Sequence, residues 1–358
     1  SMKIIHCADI HLDSPLATNF TPEQARERNA EITRTFQRLC EYAGANDVRV
    51  VLIAGDFFDG RRVSSHTVDI VFDAMRRTPQ VDYLYVSGNH DELSAVFLDR
   101  ERPENFKQFY DQWQSYIYDD VAISSVQLTE QNTVKIYDDL PVQDGKYHIV
   151  MLHGQIGSKS EKDSVNLDLL KGKGIDYLAL GHIHSYSQNP LDAKGTYCYP
   201  GCLEGRGFDE FGEKGFVLLD INDRRCTLSF VPFAFRTIYR VVIDITGMDS
   251  NSQVFRAMRE ATQDIDRKHL TEFVLKGKIQ PETQISTNYL LNLVTKEFYA
   301  ARIKDETTFM FQIDDYKNDV SLKGEYIRQI LSSNLDEKEK ERLIQIGLEA
   351  LRGEAITL

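Results

Sequence analysis

A layered α/β domain, followed by a smaller α/β module and a helical tail, is predicted by three observations. Short β-rich apolar runs alternate with loops and amphipathic stretches over the first two thirds of the chain. That pattern breaks at Val231-Pro232-Phe233 and a new strand starts at Ile238. The 358 residues exceed what one domain of about 100 to 200 residues needs. The expected division is 1–235 for the larger domain, 236–315 for the accessory module and 316–358 for the helical segment.

In chain order, strands are expected over Met2 to Ala8, Val48 to Ala54, Val81 to Ser87, Tyr147 to Leu152, Tyr177 to Leu180, Gly215 to Ile221 and Cys226 to Val231. Between the first of these lie two helical patterns. Ile32, Phe36, Leu39 and Ala43 share one face after Pro22, and Val68, Phe72 and Met75 share another before Pro79. From Val121 onward fewer helices separate the strands, which predicts a partly antiparallel sheet. In the second module Tyr239 to Ile245 and Glu272 to Ile279 read as strands, and Gln253 to Lys268 as a helix with Val254, Met258, Ala261 and Ile265 inward. In the tail, Leu322, Tyr326 and Ile330 share one face, and Ile344, Leu348 and Leu351 another. Those apolar faces either fold back on the chain or dock a partner helix.

Composition excludes several classes. No apolar run is long enough to span a bilayer, and with no apolar leader pattern in Ser1 to Ile5 secretion is not expected. Five scattered cysteines, Cys7, Cys40, Cys198, Cys202 and Cys226, suit reduced thiols, so a cytoplasmic protein is expected. The net charge of −13 speaks against a clamp that holds nucleic acid by bulk positive potential. The acidity is concentrated: residues 1–235 hold 24 basic and 35 acidic residues, and residues 236–358 hold 18 and 20. Bound cations would neutralise part of it.

The chemistry-bearing residues stand just past strand ends in five places: Asp9 with His11, Asp56, Asn89 with His90, His153, and His182 with His184. Such loops are where α/β sheets build sites. In extended chain Asp9 and His11 point the same way and can share one ion. Gly55 lets the chain turn and leaves Asp56 free to bridge two cations with its two oxygens. Asn89 adds an amide oxygen, and the imidazoles add nitrogen donors suited to Mn²⁺, Fe²⁺ or Zn²⁺.

Asp9-Ile10-His11, Gly55-Asp56-Phe57-Phe58-Asp59, Gly88-Asn89-His90-Asp91, His153 and Gly181-His182-Ile183-His184 follow in the order of a known pattern. In this the chain resembles the calcineurin-like metallophosphoesterase superfamily. The resemblance implies an αββα sandwich with a capping module. It also implies one metal held by Asp9, His11, Asp56 and His184, and a second held by Asp56, Asn89, His153 and His182. Two divalent ions about 3.5–4 Å apart activate water and neutralise charge building on phosphorus. His90, outside the ligand set, would orient the phosphate or protonate the leaving group, with Asp59 or Asp91 as its partner.

Within the superfamily, His6-Cys7-Ala8-Asp9-Ile10-His11-Leu12, the His182-X-His184 pair and Tyr199-Pro200-Gly201 look most like the SbcD branch of DNA repair nucleases and its YhaO-like relatives. This resemblance implies a Mn²⁺-dependent DNA exonuclease, a homodimer, and an SbcC-type ATPase gripping the C-terminal helices. Two departures stand out. Asp13 follows Leu12 where SbcD has Gly, and Gly207 follows Arg206, so DNA contacts are not carried over. Rival readings are a phosphatase or cyclic-nucleotide phosphodiesterase, favoured by the acidic balance, and a non-catalytic interaction protein that keeps metals for structure.

Other polar residues have plainer expectations. His6 reads as a core or supporting residue, and His66, His148 and His269 as surface or structural. Cys198 and Cys202 lack the spacing of a zinc knuckle and read as thiols in a turn. Arg61-Arg62 read evenly as backbone-phosphate contacts or solvated charges. Arg206, flanked by Gly201, Gly205 and Gly207, reads as a substrate-binding residue.

Overall fold

In the computed structural model the chain is described at residues 1–358 except 17, 19, 61–62, 89–98, 160, 281, 311 and 352–358. It divides into two compact units, Ser1–Ile238 and Tyr239–Leu358. No helix among the described residues is long and apolar enough to cross a membrane.

The first unit holds two six-stranded sheets. Strands β1 (Met2–Cys7), β2 (Val48–Ala54), β3 (Asp82–Val86) and β4 (Phe106–Phe109) run parallel in one of them. The other contains β5 (Gln114–Tyr118), β6 (Val121–Ser125), β7 (Tyr147–His153), β10 (Tyr177–Gly181), β11 (Ser187–Pro190) and β12 (Thr196–Tyr199), in the order β11-β12-β10-β7-β6-β5. Its four central strands are parallel and both edges antiparallel. Two short strands, β8 (Gln155–Ile156) and β9 (Ser164–Val165), pair beside it. β13 (Gly215–Asn222) and β14 (Arg225–Pro232) complete the first sheet as β14-β13-β1-β2-β3-β4, both joined antiparallel.

One apolar core fills the space between the sheets: Ile4, Leu52, Leu84 and Val217 from one meet Ile149, Met151, Tyr177 and Ala179 from the other. Outside the first sheet lie helices α1 (Pro22–Ala45) and α2 (Ser65–Arg76). Phe36 of α1 packs on Tyr83, and Phe72 of α2 on Phe106. The apolar stripes read from sequence are buried: Ile32, Phe36, Leu39 and Ala43, then Val68, Phe72 and Met75. Thr21 starts α1 with a capping box: its hydroxyl accepts the Gln24 N–H at 3.2 Å, and its own N–H donates to Gln24 Oε1 at 3.2 Å. Pro22 sits at the first helical position, where a missing N–H is harmless. The second sheet buries its outer face under Ile136, Tyr137, Leu140 and Leu170. The layered sandwich is the expected one, and this outer layer is built from loops and the short helix Lys135–Asp138.

In the second unit, β15 (Ile238–Asp244), β16 (Leu270–Lys276) and β18 (Ala300–Asp305) form a sheet, while β17 (Lys278–Ile279) pairs separately with Thr308–Phe309. The helix expected over 253–268 spans Asn251–Ala261; Thr262 caps it, its hydroxyl donating to Met258 O at 2.8 Å. Ile327, Ile344 and Leu348 share a core with Phe273, Leu275 and Leu290. The apolar face of Leu322–Leu331 therefore centres on Ile327, with Tyr326 and Ile330 partly buried. Leu322, expected inward, is 73% exposed because it lies in the first turn, beyond the reach of this core.

Candidate metal centre

β1 and β2 deliver their following loops side by side. The Asp9 N–H donates to Gly55 O at 3.1 Å, the His11 N–H to Asp56 O at 3.0 Å and the Leu12 N–H to Phe57 O at 3.0 Å. Asp9, His11 and Asp56 take positive φ values of 51°, 50° and 49°. Asp9 and His11 do reach one place, but by left-handed backbone held against the neighbouring loop, not by the extended chain expected from their spacing. Such conformations cost on the order of 1–3 kcal/mol each and gather at functional sites. His182, past the end of β10, adds a φ of 118°.

Glycines make the room. A Cβ at Gly55 would stand 2.1 Å from His153 Nδ1, and one at Gly88 would stand 2.3 Å from Asp56 Oδ1 and 2.8 Å from His153 Nε2. The chain at Gly88 thus passes directly against Asp56 and His153. Asn89, His90 and Asp91, the next three residues, lie outside the described residues, as do Arg61 and Arg62.

The six described candidates converge as two trios. Asp9, His11 and His184 bring ligand atoms within 4.8 Å of one another, and Asp56, His153 and His182 do the same. The trios adjoin, since His11 Nε2 lies 3.8 Å from Asp56 Oδ2. His11 Nε2 and His184 Nε2 are 3.3 Å apart, and His153 Nε2 is 3.3 Å from Asp56 Oδ2. Asp9, His11, Asp56 and His153 are buried, while His182 and His184 are partly exposed. His153 Nδ1 donates to Ala54 O at 2.8 Å, which leaves Nε2 facing the centre. Asp9 Oδ2 accepts the His182 N–H at 3.0 Å, but its buried Oδ1 has no hydrogen-bond partner among the described residues.

The electrostatics suit a bound cation. Burial, reinforced by the Asp56 charge, pushes the Asp9 carboxyl up to about 7. Burial alone would lower His153, but Asp56, beside it, and Asp9 outweigh this and raise it to about 9. Burial holds His11 and His182 below the usual histidine range. A cluster of buried carboxylates and imidazoles that holds protons in this way, with an orphaned carboxylate oxygen, fits divalent cations.

Around the trios lie residues with supporting contacts. His184 Nδ1 donates to Glu210 Oε1 at 2.8 Å, and His11 Nδ1 lies 3.7 Å from Asp59 Oδ1. Arg206, read as substrate-facing, donates from Nη2 to Glu210 Oε1 at 3.2 Å and from Nη1 to Ser14 Oγ at 3.0 Å. The one sequence signal of Glu210 is an acid four residues after Arg206 in a Gly-rich turn. His6 is a core residue: Nε2–H donates to Leu180 O at 2.9 Å, so Nδ1 accepts from the Tyr177 hydroxyl at 2.7 Å. Burial lowers it to about 3. Cys198 and Cys202 are buried free thiols, and His148 is buried against Ser124.

Comparison with known proteins places these features in a family. The model described as "Calcineurin-like phosphoesterase" matches residues 2–186. The "Uncharacterized metallophosphoesterase YhaO" of Bacillus subtilis is 26% identical over 284 residues, 75% of this chain and 69% of that protein. The "DNA double-strand break repair protein Mre11" of Aeropyrum pernix is 25% identical over 291 residues, 74% of this chain and 69% of that protein. A subunit of the nuclease SbcCD from Rhodobacter capsulatus is 31% identical over 107 residues, 29% of this chain and 24% of that protein.

Proposed function

The chain belongs to the calcineurin-like phosphoesterase family of phosphoester hydrolases with a two-metal centre, and from that premise we propose that it is a divalent-metal-dependent DNA phosphodiesterase of the SbcD type, acting in DNA repair. The observation that carries the reading is the convergence of Asp9, His11 and His184 beside Asp56, His153 and His182. The names of the Mre11 and SbcCD relatives support DNA as the substrate. In this reading Asp9, His11, Asp56 and His184 hold one ion, and Asp56, Asn89, His153 and His182 the other. Mn²⁺ is the favoured metal for this mixed nitrogen and oxygen set. When bound, two such ions supply a nucleophile from water at neutral pH and neutralise charge on the phosphoryl group.

The protein's own residues supply the rest. Ala54 O holds the His153 ring with Nε2 toward the centre, and the His182 N–H holds the Asp9 carboxylate. His90 follows Asn89 and is assigned the proton donated to the leaving oxygen. An SbcC-type ATPase engaging the C-terminal helices, and a homodimer, complete the proposal. Purified protein with Mn²⁺ should cleave labelled duplex or single-stranded DNA, and His90→Ala should lower the rate by on the order of 10²–10⁴-fold. Wild type inert on DNA, or cleavage equal in the variant, would overturn the reading. The acidic balance of −13 favours a small-ester hydrolase as the second reading. Faster turnover of a nitrophenyl monoester than of DNA would support that alternative.

Metal binding should also be proton-linked. Asp9 rises on folding from an ordinary carboxyl value to about 7, and His153 rises to about 9. Both take up protons when the metal-free chain folds, so this site favours the folded state less as pH rises: through 7 for Asp9, and through 9 for His153. Ions displace those protons, so the gain in Tm on adding Mn²⁺ should be larger at pH 8.5 than at pH 6, as differential scanning fluorimetry would show. An equal or smaller gain at pH 8.5 contradicts the assignment of these two groups.

A further inference from the structure

The two trios are supported in chemically different ways. His153 Nδ1 donates to a neutral acceptor, the Ala54 carbonyl, at 2.8 Å. His184 Nδ1 donates to a carboxylate, Glu210 Oε1, also at 2.8 Å. Glu210 is 6% exposed, and each of its oxygens is engaged. Oε1 also accepts Arg206 Nη2 at 3.2 Å, while Oε2 accepts the Arg206 backbone N–H at 2.7 Å and the Cys202 thiol at 3.6 Å.

The support reaches further on both sides. Arg206 Nη1 donates to the hydroxyl of Ser14, in the same loop as His11. The His184 carbonyl accepts the Lys214 ammonium at 2.9 Å and the Cys202 N–H at 3.2 Å. A side chain fixed at this many points can hold an imidazole in one tautomer and one orientation, with Nε2 presented to an ion.

We propose that Glu210, locked by Arg206, is the positioning residue of His184, and that it makes the Asp9, His11 and His184 site the tighter of two unequal metal sites. A carboxylate behind a metal-binding histidine raises the basicity of the ring, whereas a peptide carbonyl does so less. The inference rests on the two-ion reading of the centre and adds an order of filling. The site backed by Glu210 fills first, and the site backed by Ala54 fills second.

Calorimetric titration of the metal-free full chain with MnCl₂ tests this. Wild type should show two unequal dissociation constants. In Glu210→Gln, which keeps the shape and loses the charge, the tighter constant should weaken by roughly 10–100-fold and the weaker one should not change. Arg206→Lys, which keeps a positive charge but not the fork that spans Glu210 and Ser14, should weaken the same ion by a smaller factor. Unchanged constants in Glu210→Gln, or both weakened together with a lower Tm of the metal-free protein, would overturn the positioning role. If Glu210→Gln does not fold, Arg206→Lys decides by the same criterion. Wild type that binds fewer than two Mn²⁺ defeats the two-ion reading itself, a result distinct from failure of the Glu210 assignment.

Discussion

Asp56→Asn is expected to abolish phosphodiesterase activity, by on the order of 10³-fold or more, while leaving the metal-free fold intact. Loss of a residue that only supports a ligand lowers metal affinity or activity roughly 10–100-fold. Asp56 belongs to the second trio, 3.3 Å from His153 Nε2, and reaches to 3.8 Å from His11 Nε2 of the first; in the proposed centre it serves both ions. Asparagine keeps one neutral oxygen but loses the charge and the second oxygen through which one residue would serve both ions. Asparagine matches the volume, so the close approach of Gly88 is kept. The stabilisation expected of Mn²⁺ bound to wild type, about 2.7 kcal/mol per site at a metal concentration of 100 Kd, should largely disappear. Thermal melts with and without Mn²⁺, beside rates on DNA, check both halves. A variant that still gains Tm and still cleaves would remove Asp56 from the bridging position.

Arg28→Met is expected to be the most destabilising single change away from the centre, at roughly 3–5 kcal/mol. Arg28 lies on α1 with its side chain fully buried, its Nη1 donating to Glu31 Oε2 at 2.6 Å. Its Nη2 donates to Gly205 O at 2.7 Å and Glu204 Oε1 at 3.3 Å. Glu204, also buried, accepts the Thr35 hydroxyl at 2.7 Å, the Phe235 N–H at 2.6 Å and the Arg236 N–H at 3.2 Å. Removing the guanidinium leaves Glu204 charged in the interior without its cation, which is the costly way to break a buried pair. For a unit of this size a melting point lower by roughly 6–20 °C follows. The double variant Arg28→Met with Glu204→Leu should recover part of the loss, because an apolar pair replaces an unpaired charge. A single variant that melts with wild type would show that the network carries no stability. The network also meets the metal centre, since Gly205 precedes Arg206 in the turn that holds Glu210.

Much of the candidate site was legible because its chemistry resides in residue types. Asp, Asn and His just past apolar strand runs say little one at a time, but five such pieces in one order do, and the strands β2, β7 and β10 bring Asp56, His153 and His182 together. Supporting residues were hidden for a physical reason. Glu210 is 26 residues from His184 and becomes a partner only when the turn after β12 folds back. Arg206 was read as facing substrate because glycines flank it, yet its guanidinium is engaged by Glu210 and Ser14. Arg28 lies in register with Ile32 and Phe36 on the buried face of α1, but nothing local tells that Glu204 will be its buried partner. The left-handed backbone at Asp9 and His11 was equally invisible, because hydrogen bonds to the Asp56 loop impose it. In the tail, periodicity put Leu322, Tyr326 and Ile330 on one apolar face of Leu322–Leu331. The core instead takes Ile327 as its fully buried member and leaves Leu322 in solvent.

Anomalous diffraction from crystals soaked in Mn²⁺ tests the central claim most directly. Two peaks are expected, one bonded by Asp9, His11, Asp56 and His184, the other by Asp56, Asn89, His153 and His182. A single peak, or manganese bound away from these side chains, would contradict the account.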